Sequence, residues 1–235
     1  MRPLIFAILL ASSCLQAQSK DAATDIAQVF EPVWQSDKAR LFRVTLAAKQ
    51  WTKPLSHDHD WLLVTLSQGD ITLAPENARS RRVQFEPGHI EIATSASPTE
   101  IRNSSNADAQ FFLLELAGGI RDDAAACGLG ARDCDSEYGN LSGPTYARSP
   151  HFDTPTIRSV ETTIDPGAEL DPHEHPFPLL MFALSDLELE SRVEGKQPEQ
   201  ISLKLGEFRA FEGGFTHVLK NSGKSPARLL TLEVK

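Results

Sequence analysis

The chain repeats itself. A Ser-His-Asp-His-Asp segment surrounds His57, and a Pro-His-Glu-His-Pro segment surrounds His173, 116 positions later. Gly88 and Asn103 bracket one stretch; Gly206 and Asn221 bracket another, each 118 positions on. The segments ahead of the histidines also match loosely, Phe42-Arg43-Val44 against Ile157-Arg158-Ser159-Val160. Landmarks that return at almost one interval predict two copies of one unit in tandem. We place the first copy at 29–117 and the second at 151–235. The linker, 118–150, is rich in glycine and carries Cys127 and Cys134.

Each copy reads as β-structure. Helical periodicity is scarce, and the apolar runs are short, rich in Val, Ile, Leu, Phe and Thr, and cut by Gly, Pro, Asn and Asp. Leu41–Ala48, Trp61–Ser67, Asp70–Leu73, Arg82–Phe85, Ile90–Thr94 and Phe111–Leu116 are predicted strands of the first copy. Ile157–Ile164, Leu179–Leu184, Gln200–Lys204, Arg209–Phe211 and Ala227–Val234 are their counterparts in the second. Many short strands separated by turn signals predict an all-β sandwich or barrel. One short helix is expected at Ala22–Val29.

The first 17 residues differ in kind. Arg2 precedes an apolar run from Leu4 to Leu10, and Ser12, Ser13 and Ala17 are small enough for a cleavage site. That is the pattern of a secretory signal peptide, and the run is too short to span a bilayer. A lipoprotein in which Cys14 becomes the lipidated first residue ranks second. Export fits the remaining cysteines, because Cys127 and Cys134 can pair in an oxidising compartment. Their spacing suits neither a zinc knuckle nor a C-x-x-C redox site. The chain carries 23 Lys+Arg against 32 Asp+Glu, a net charge of −9, which argues against nucleic acid as a partner.

Two histidines two apart on a strand point to one side, so His173 and His175 can face one metal ion while Glu174 faces away. Gly206, Gly214, His217 and Asn221 follow, and a glycine turn would bring His217 over the pair from a neighbouring strand. Three neutral imidazoles leave coordination positions open for water, substrate or O2. Fe, Mn, Ni, Cu and Zn all accept such ligands. No catalytic acid, base or nucleophile stands out, and neither Glu174 nor Glu212 is assigned a role.

These residues resemble the motifs of the cupin family. Gly206, Gly214, His217 and Asn221 match the family's G-x5-P-x-G-x2-H-x3-N motif at every spacing, with Glu212 in place of the proline. His173 and His175 match its H-x-H, with Gly167 near the start of that motif. The family's glutamate is replaced, since its expected positions hold Leu179 and Leu180. In the first copy His57 and His59 match the H-x-H, and Gly88 and Asn103 match the ends of the second motif. There the third histidine falls on Thr99 and the glutamate on Leu63 or Val64. The resemblance implies two tandem jelly-roll barrels. It implies a metal site at His173, His175 and His217, and a degenerate first copy with His57 and His59 as a weaker candidate pair. It also implies a dioxygenase-like or isomerase-like activity on a small organic molecule, in a monomer or homodimer. The alternative is a non-catalytic cupin that binds a small ligand or serves as a scaffold.

Overall fold

The computed structural model describes residues 29–55, 59–93, 97–120, 124–129, 131–138 and 141–235. The expected leader at 1–17, Cys14, His57 and all but the last residue of the expected helix lie outside the described residues. Eight strands build the first half: β1 (Phe30–Gln35), β2 (Ala39–Leu46), β3 (Asp60–Thr65), β4 (Gly69–Pro75), β5 (Arg81–Phe85), β6 (Ile90–Ala93), β7 (Thr99–Asn103) and β8 (Ala109–Leu116). A short helix, α1 (Cys134–Tyr138), precedes the second half. That half contains β9 (Tyr146–Asp153), β10 (Ile157–Ile164), β11 (Glu169–His175), β12 (Leu179–Ala183) and β13 (Leu187–Val193). It ends with β14 (Glu199–Leu203), β15 (Phe208–Phe211), β16 (Phe215–Asn221) and β17 (Ala227–Val234). Among the described residues no helix is long and apolar enough to cross a membrane.

Each half is two antiparallel sheets closed over a core. In the first, the sheet β1-β2-β8-β3-β6 covers the sheet β5-β4-β7; in the second, β15-β12-β17-β10-β9 covers β11-β16-β13-β14. The interior of the first barrel holds Val44, Trp61, Leu63 and Phe111 from one sheet against Ile71, Val83 and Ile101 from the other. The second holds Ile164, Met181 and Leu229 against Leu170, Leu189 and Leu219.

The alternate residues of the same strands make a third core. Leu62, Val64, Phe112 and Leu114 of the first barrel meet Leu180, Phe182, Leu230 and Leu232 of the second. The Phe112 ring lies 5.1 Å from both Phe182 and Phe208. Side chains alternate across a strand, so a strand between its own barrel and the next is apolar on both faces. This accounts for the unbroken runs in β3 (DWLLVT) and β12 (LLMFA), where a one-sided sheet would alternate with polar residues.

The repeat extends to individual hydrogen bonds. Asn103 Nδ2 donates to the carbonyls of Leu46 and Ala107, and Asn221 Nδ2 donates to those of Ile164 and Ser225, each 118 positions later. Gly88 N–H donates to Thr65 O, and Gly206 N–H to Ala183 O. Both glycines have φ in the left-handed region, +92° and +82°. At Gly88 a β-carbon would also stand 2.6 Å from Leu184 Cδ1 of the other barrel.

Some strands escaped the sequence pattern. β13 (LELESRV) alternates acidic and apolar residues because only one face is buried. β9 (YARSPHFD) contains Pro150 and begins within the segment read as linker; it is an edge strand, where a missing N–H costs little. The linker is itself anchored. Cys127 and Cys134 form a disulfide, Ala126 N–H donates to Asp153 O, and Asp153 N–H donates back to Cys127 O.

The shared core predicts that the barrels unfold together. Phe112→Ala removes a ring that both halves pack against, and should cost about 3–5 kcal/mol. Calorimetry should show one transition shifted downward as a unit. Two separate transitions, one of them at the wild-type temperature, would mean that the barrels are energetically independent.

Candidate metal centre

Antiparallel pairing of β11 with β16 assembles the site. His173 stands directly opposite His217 and His175 opposite Phe215, after an irregularity in register between Leu170 and His173. Gly214, at φ +83°, makes the turn into β16, and its N–H donates to His175 O at 2.7 Å. The glycine therefore ties the start of one ligand strand to the end of the other, as its position in the sequence suggested. The three rings form a compact triangle with centroids 4.5, 5.0 and 5.2 Å apart. One ligand nitrogen from each lies within 4.8 Å of the others. His175 and His217 are buried and His173 is half-buried. Glu174 and Glu212 are exposed, consistent with the absence of a role for either.

Every Nδ1 in the triad has a partner behind it. His173 Nδ1 lies 2.8 Å from Asp171 O, His175 Nδ1 2.5 Å from Glu233 Oε1, and His217 Nδ1 2.8 Å from Ser191 Oγ. A carbonyl and a carboxylate can only accept, so in the first two rings Nδ1 carries the proton and Nε2 carries a lone pair. This outer arrangement fixes the tautomer and aim of metal-binding histidines. His217 Nε2 approaches His173 Nε2 to 3.0 Å. Without a cation, that contact is a hydrogen bond donated by His217, with the Ser191 hydroxyl donating to His217 Nδ1. With a cation, the hydroxyl turns and accepts from Nδ1–H, leaving three lone pairs inward. Two nitrogens each ~2.1 Å from one metal at a right angle would stand about 3.0 Å apart, so the residues present fit a transition metal.

Burial, the largest influence, lowers the His173 pKa to about 4 and the His217 pKa to about 3, with the neighbouring imidazoles adding to the effect. Both rings are therefore neutral, the form that binds metals, across the ordinary working range.

The sequence pattern did not reveal the outer partners. Leu179 occupies the position of the family's glutamate, and Glu233 stands directly across from it on β17. A carboxylate thus reaches the site from the neighbouring strand and holds His175 from behind. A signal for it existed: Glu233 is the one acid of a mostly apolar strand, ARLLTLEV, and Glu115 precedes it by 118 positions. Aromatic rings line one side of the triad, with Phe215 centred 5.3 Å from His175 and 5.1 Å from His217. A depression of about 260 Å³ lined by Ser191, Phe211, Gly213, Gly214 and Phe215 opens on that side.

In the first barrel Leu55 bridges Thr99, and its N–H donates to Thr99 O at 2.9 Å. At the 118-residue interval Thr99 corresponds to His217, so Leu55 stands where His173 stands in the second barrel, and His59 falls level with Phe177. His59 is half-buried, while Leu55, Thr99 and Trp61 are buried and fill the space. Glu115 pairs there with Arg40, Nη2 to Oε2 at 2.7 Å, where Glu233 instead turns to a histidine. His89 and His151 line a cleft of about 540 Å³ at the junction of the barrels, and His151 Nε2 lies 3.7 Å from Glu161 Oε2.

Comparison with solved structures identifies the architecture. The chain is similar to a cupin 2 conserved barrel domain protein from Leptotrichia buccalis, with a TM-score of 0.59 and 15% identity over 88% of each chain. It is also similar to oxalate decarboxylase from Bacillus subtilis, with a TM-score of 0.60 and 14% identity over 85% of this chain and 69% of that one. A salicylate 1,2-dioxygenase from Pseudaminobacter salicylatoxidans gives 0.61 and 9% identity over 84% of this chain and 71% of that one. No protein-family model matches the sequence. No curated protein matches it either. At these identities the likeness establishes the fold, which is all-β with two tandem jelly-roll barrels of cupin type.

The depressed histidines give a pH signature for the metal-free protein. Unfolded, both rings titrate near 6.5. Below that pH the unfolded chain takes up protons that the folded one does not, so stability should fall as pH drops from about 6.5 toward 4. It should be insensitive to these two groups above 6.5. Thermal midpoints measured with chelator present should show this slope, and His173→Ala/His217→Ala should flatten it. An unchanged slope in the double variant would place the titrating groups elsewhere.

Proposed function

We propose that the chain is an exported metalloprotein whose second barrel holds one divalent transition metal in His173, His175 and His217. The observation that carries this reading is the convergence of three imidazoles, each with a partner behind its Nδ1. Bound there, a metal would supply Lewis-acid or redox chemistry toward a small organic substrate, in a dioxygenase-like or isomerase-like reaction. The chain's own residues hold the three imidazoles aimed and keep His173 and His217 neutral, and Leu179 contributes no donor where a fourth protein ligand would stand. That leaves positions for water and substrate, with Phe211 and Phe215 providing apolar contact. Fe, Mn, Ni, Cu and Zn are all compatible; the Bacillus subtilis oxalate decarboxylase contains Mn(II) centres. Support for export comes from the leader-like residues 1–17 and the Cys127–Cys134 disulfide, which suits a periplasmic or secreted protein. Mutual covering of the two large sheets within one chain favours a monomer over a homodimer.

A non-catalytic ligand-binding role is the second reading. The apolar filling of the first barrel and the exposure of Glu174 and Glu212 favour it. Metal analysis of protein purified from the periplasm without added metal tests the main reading. About one transition-metal ion per chain is expected, and His173→Ala/His217→Ala should lose it. No metal after reconstitution would overturn the site. With metal bound, absence of O2 uptake across phenolic and diketone substrates would overturn the dioxygenase reaction and move the weight to binding.

A further inference from the structure

We infer that Arg148 is the anion anchor of the second barrel, and that the ligand taken beside His173 and His217 is a small organic carboxylate. This deepens the metal-site reading and rests on it.

Arg148 lies on the edge strand β9, opposite Thr162 of β10. Along β9, Ala147 and Ser149 are exposed while Tyr146, Arg148 and Pro150 are half-buried, so Arg148 shares the face of Val160, Thr162 and Ile164. That face looks into the second barrel, where Ile164 packs in the core. The Tyr146 hydroxyl donates to Asp171 Oδ2 at 2.7 Å, closing β9 over β11. Two residues further along each strand come Arg148 and His173. The guanidinium charge acts on both His173 and His217, pushing their pKa values down alongside burial.

What sets Arg148 apart is that none of the described residues gives its side chain a hydrogen-bond or ion-pair partner. Its Nε is buried without a hydrogen bond. Among the described residues no carboxylate forms an ion pair with it. Glu233, whose charge acts on it, already bonds His175, and Arg158 repels it. Burial holds its pKa below the usual guanidinium range. A half-buried cation with a buried, unbonded Nε and no carboxylate partner among the described residues is costly, and its place on the barrel-facing side of β9 is best explained by an anion that arrives with the ligand. Its planar fork matches a carboxylate, to which it can donate two parallel hydrogen bonds. A metal in the triad would add positive charge to the same space, so an acid should be preferred strongly over its neutral amide, although the chain as a whole carries −9.

The test is ligand binding by cobalt-loaded protein, read from the visible cobalt spectrum and by calorimetry. Benzoate is compared with benzamide, and malonate with malonamide. At least one acid should bind at least ~10-fold tighter than its amide. Arg148→Met should lose that preference at unchanged cobalt stoichiometry, with an unchanged or raised thermal midpoint because the half-buried, unpaired charge is gone. Arg148→Lys should retain part of it. Equal binding of acid and amide by the wild type at one cobalt per chain would overturn the inference and leave the metal site standing. Full retention of the preference in Arg148→Met would also overturn it. If cobalt does not bind, the metal reading fails, and thermal stabilisation of the metal-free protein by the acids alone decides for or against Arg148. Should Arg148→Met not fold, the wild-type comparison and Arg148→Lys remain decisive.

Discussion

Two five-stranded sheets lie face to face, and each is also the wall of its own barrel. Leu62, Val64, Phe112 and Leu114 on one side and Leu180, Phe182, Leu230 and Leu232 on the other leave no solvated face on the central strands. Their alternate residues then have only one place to point, which is into a barrel. This constraint selects the inward set Trp61, Leu63 and Phe111 in the first half and Leu179, Met181, Leu229 and Glu233 in the second. A slip of one residue in any of these strands would exchange the two cores. The polar groups of the candidate metal site thus stand on a register that hydrophobic burial holds in place.

Within that frame the two barrels carry different residues at the places equivalent to the triad. His173 corresponds to Leu55, His217 to Thr99 and Leu179 to Trp61. In the first barrel the space is filled by a leucine and an indole, and Glu115 is neutralised by Arg40 across the strand pair. In the second, Glu233 stands in the same register opposite Arg158 but bonds His175. The same strand positions therefore serve packing in one copy and positioning of imidazoles in the other. The clamps that keep each barrel closed, Asn103 and Asn221, are unchanged between them.

The site also shows how the chain manages buried polarity. Asp171 O, Glu233 and Ser191 each take one Nδ1, so three imidazoles are accommodated in a largely apolar barrel without a stranded donor on their outer side. Ser191 is the adaptable member, because a hydroxyl can donate or accept. Arg148 is the exception to this accounting, a cation whose counter-charge is not supplied by the described residues.

Much of this was legible before any coordinates. The near-constant interval between Gly88 and Gly206 and between Asn103 and Asn221 was enough for two tandem β units, and the two-residue spacing of His173 and His175 was enough to put both on one face. Such features are local, since turn glycines and strand alternation depend on a few neighbouring residues. In the first copy the pattern His57-x-His59 looks the same whichever strand position it starts from, and it is the pairing of Leu55 with Thr99 that sets the register of the described residues there. Glu233, Ser191 and Arg148 lie 58, 26 and 25 positions from the histidines His175, His217 and His173 that they hold or influence. By itself, then, the sequence determined the repeat, the all-β class and three candidate ligands. Only the tertiary structure decided what stands behind each candidate ligand, because cross-strand register and sheet packing bring together residues whose separation along the chain carries no signal.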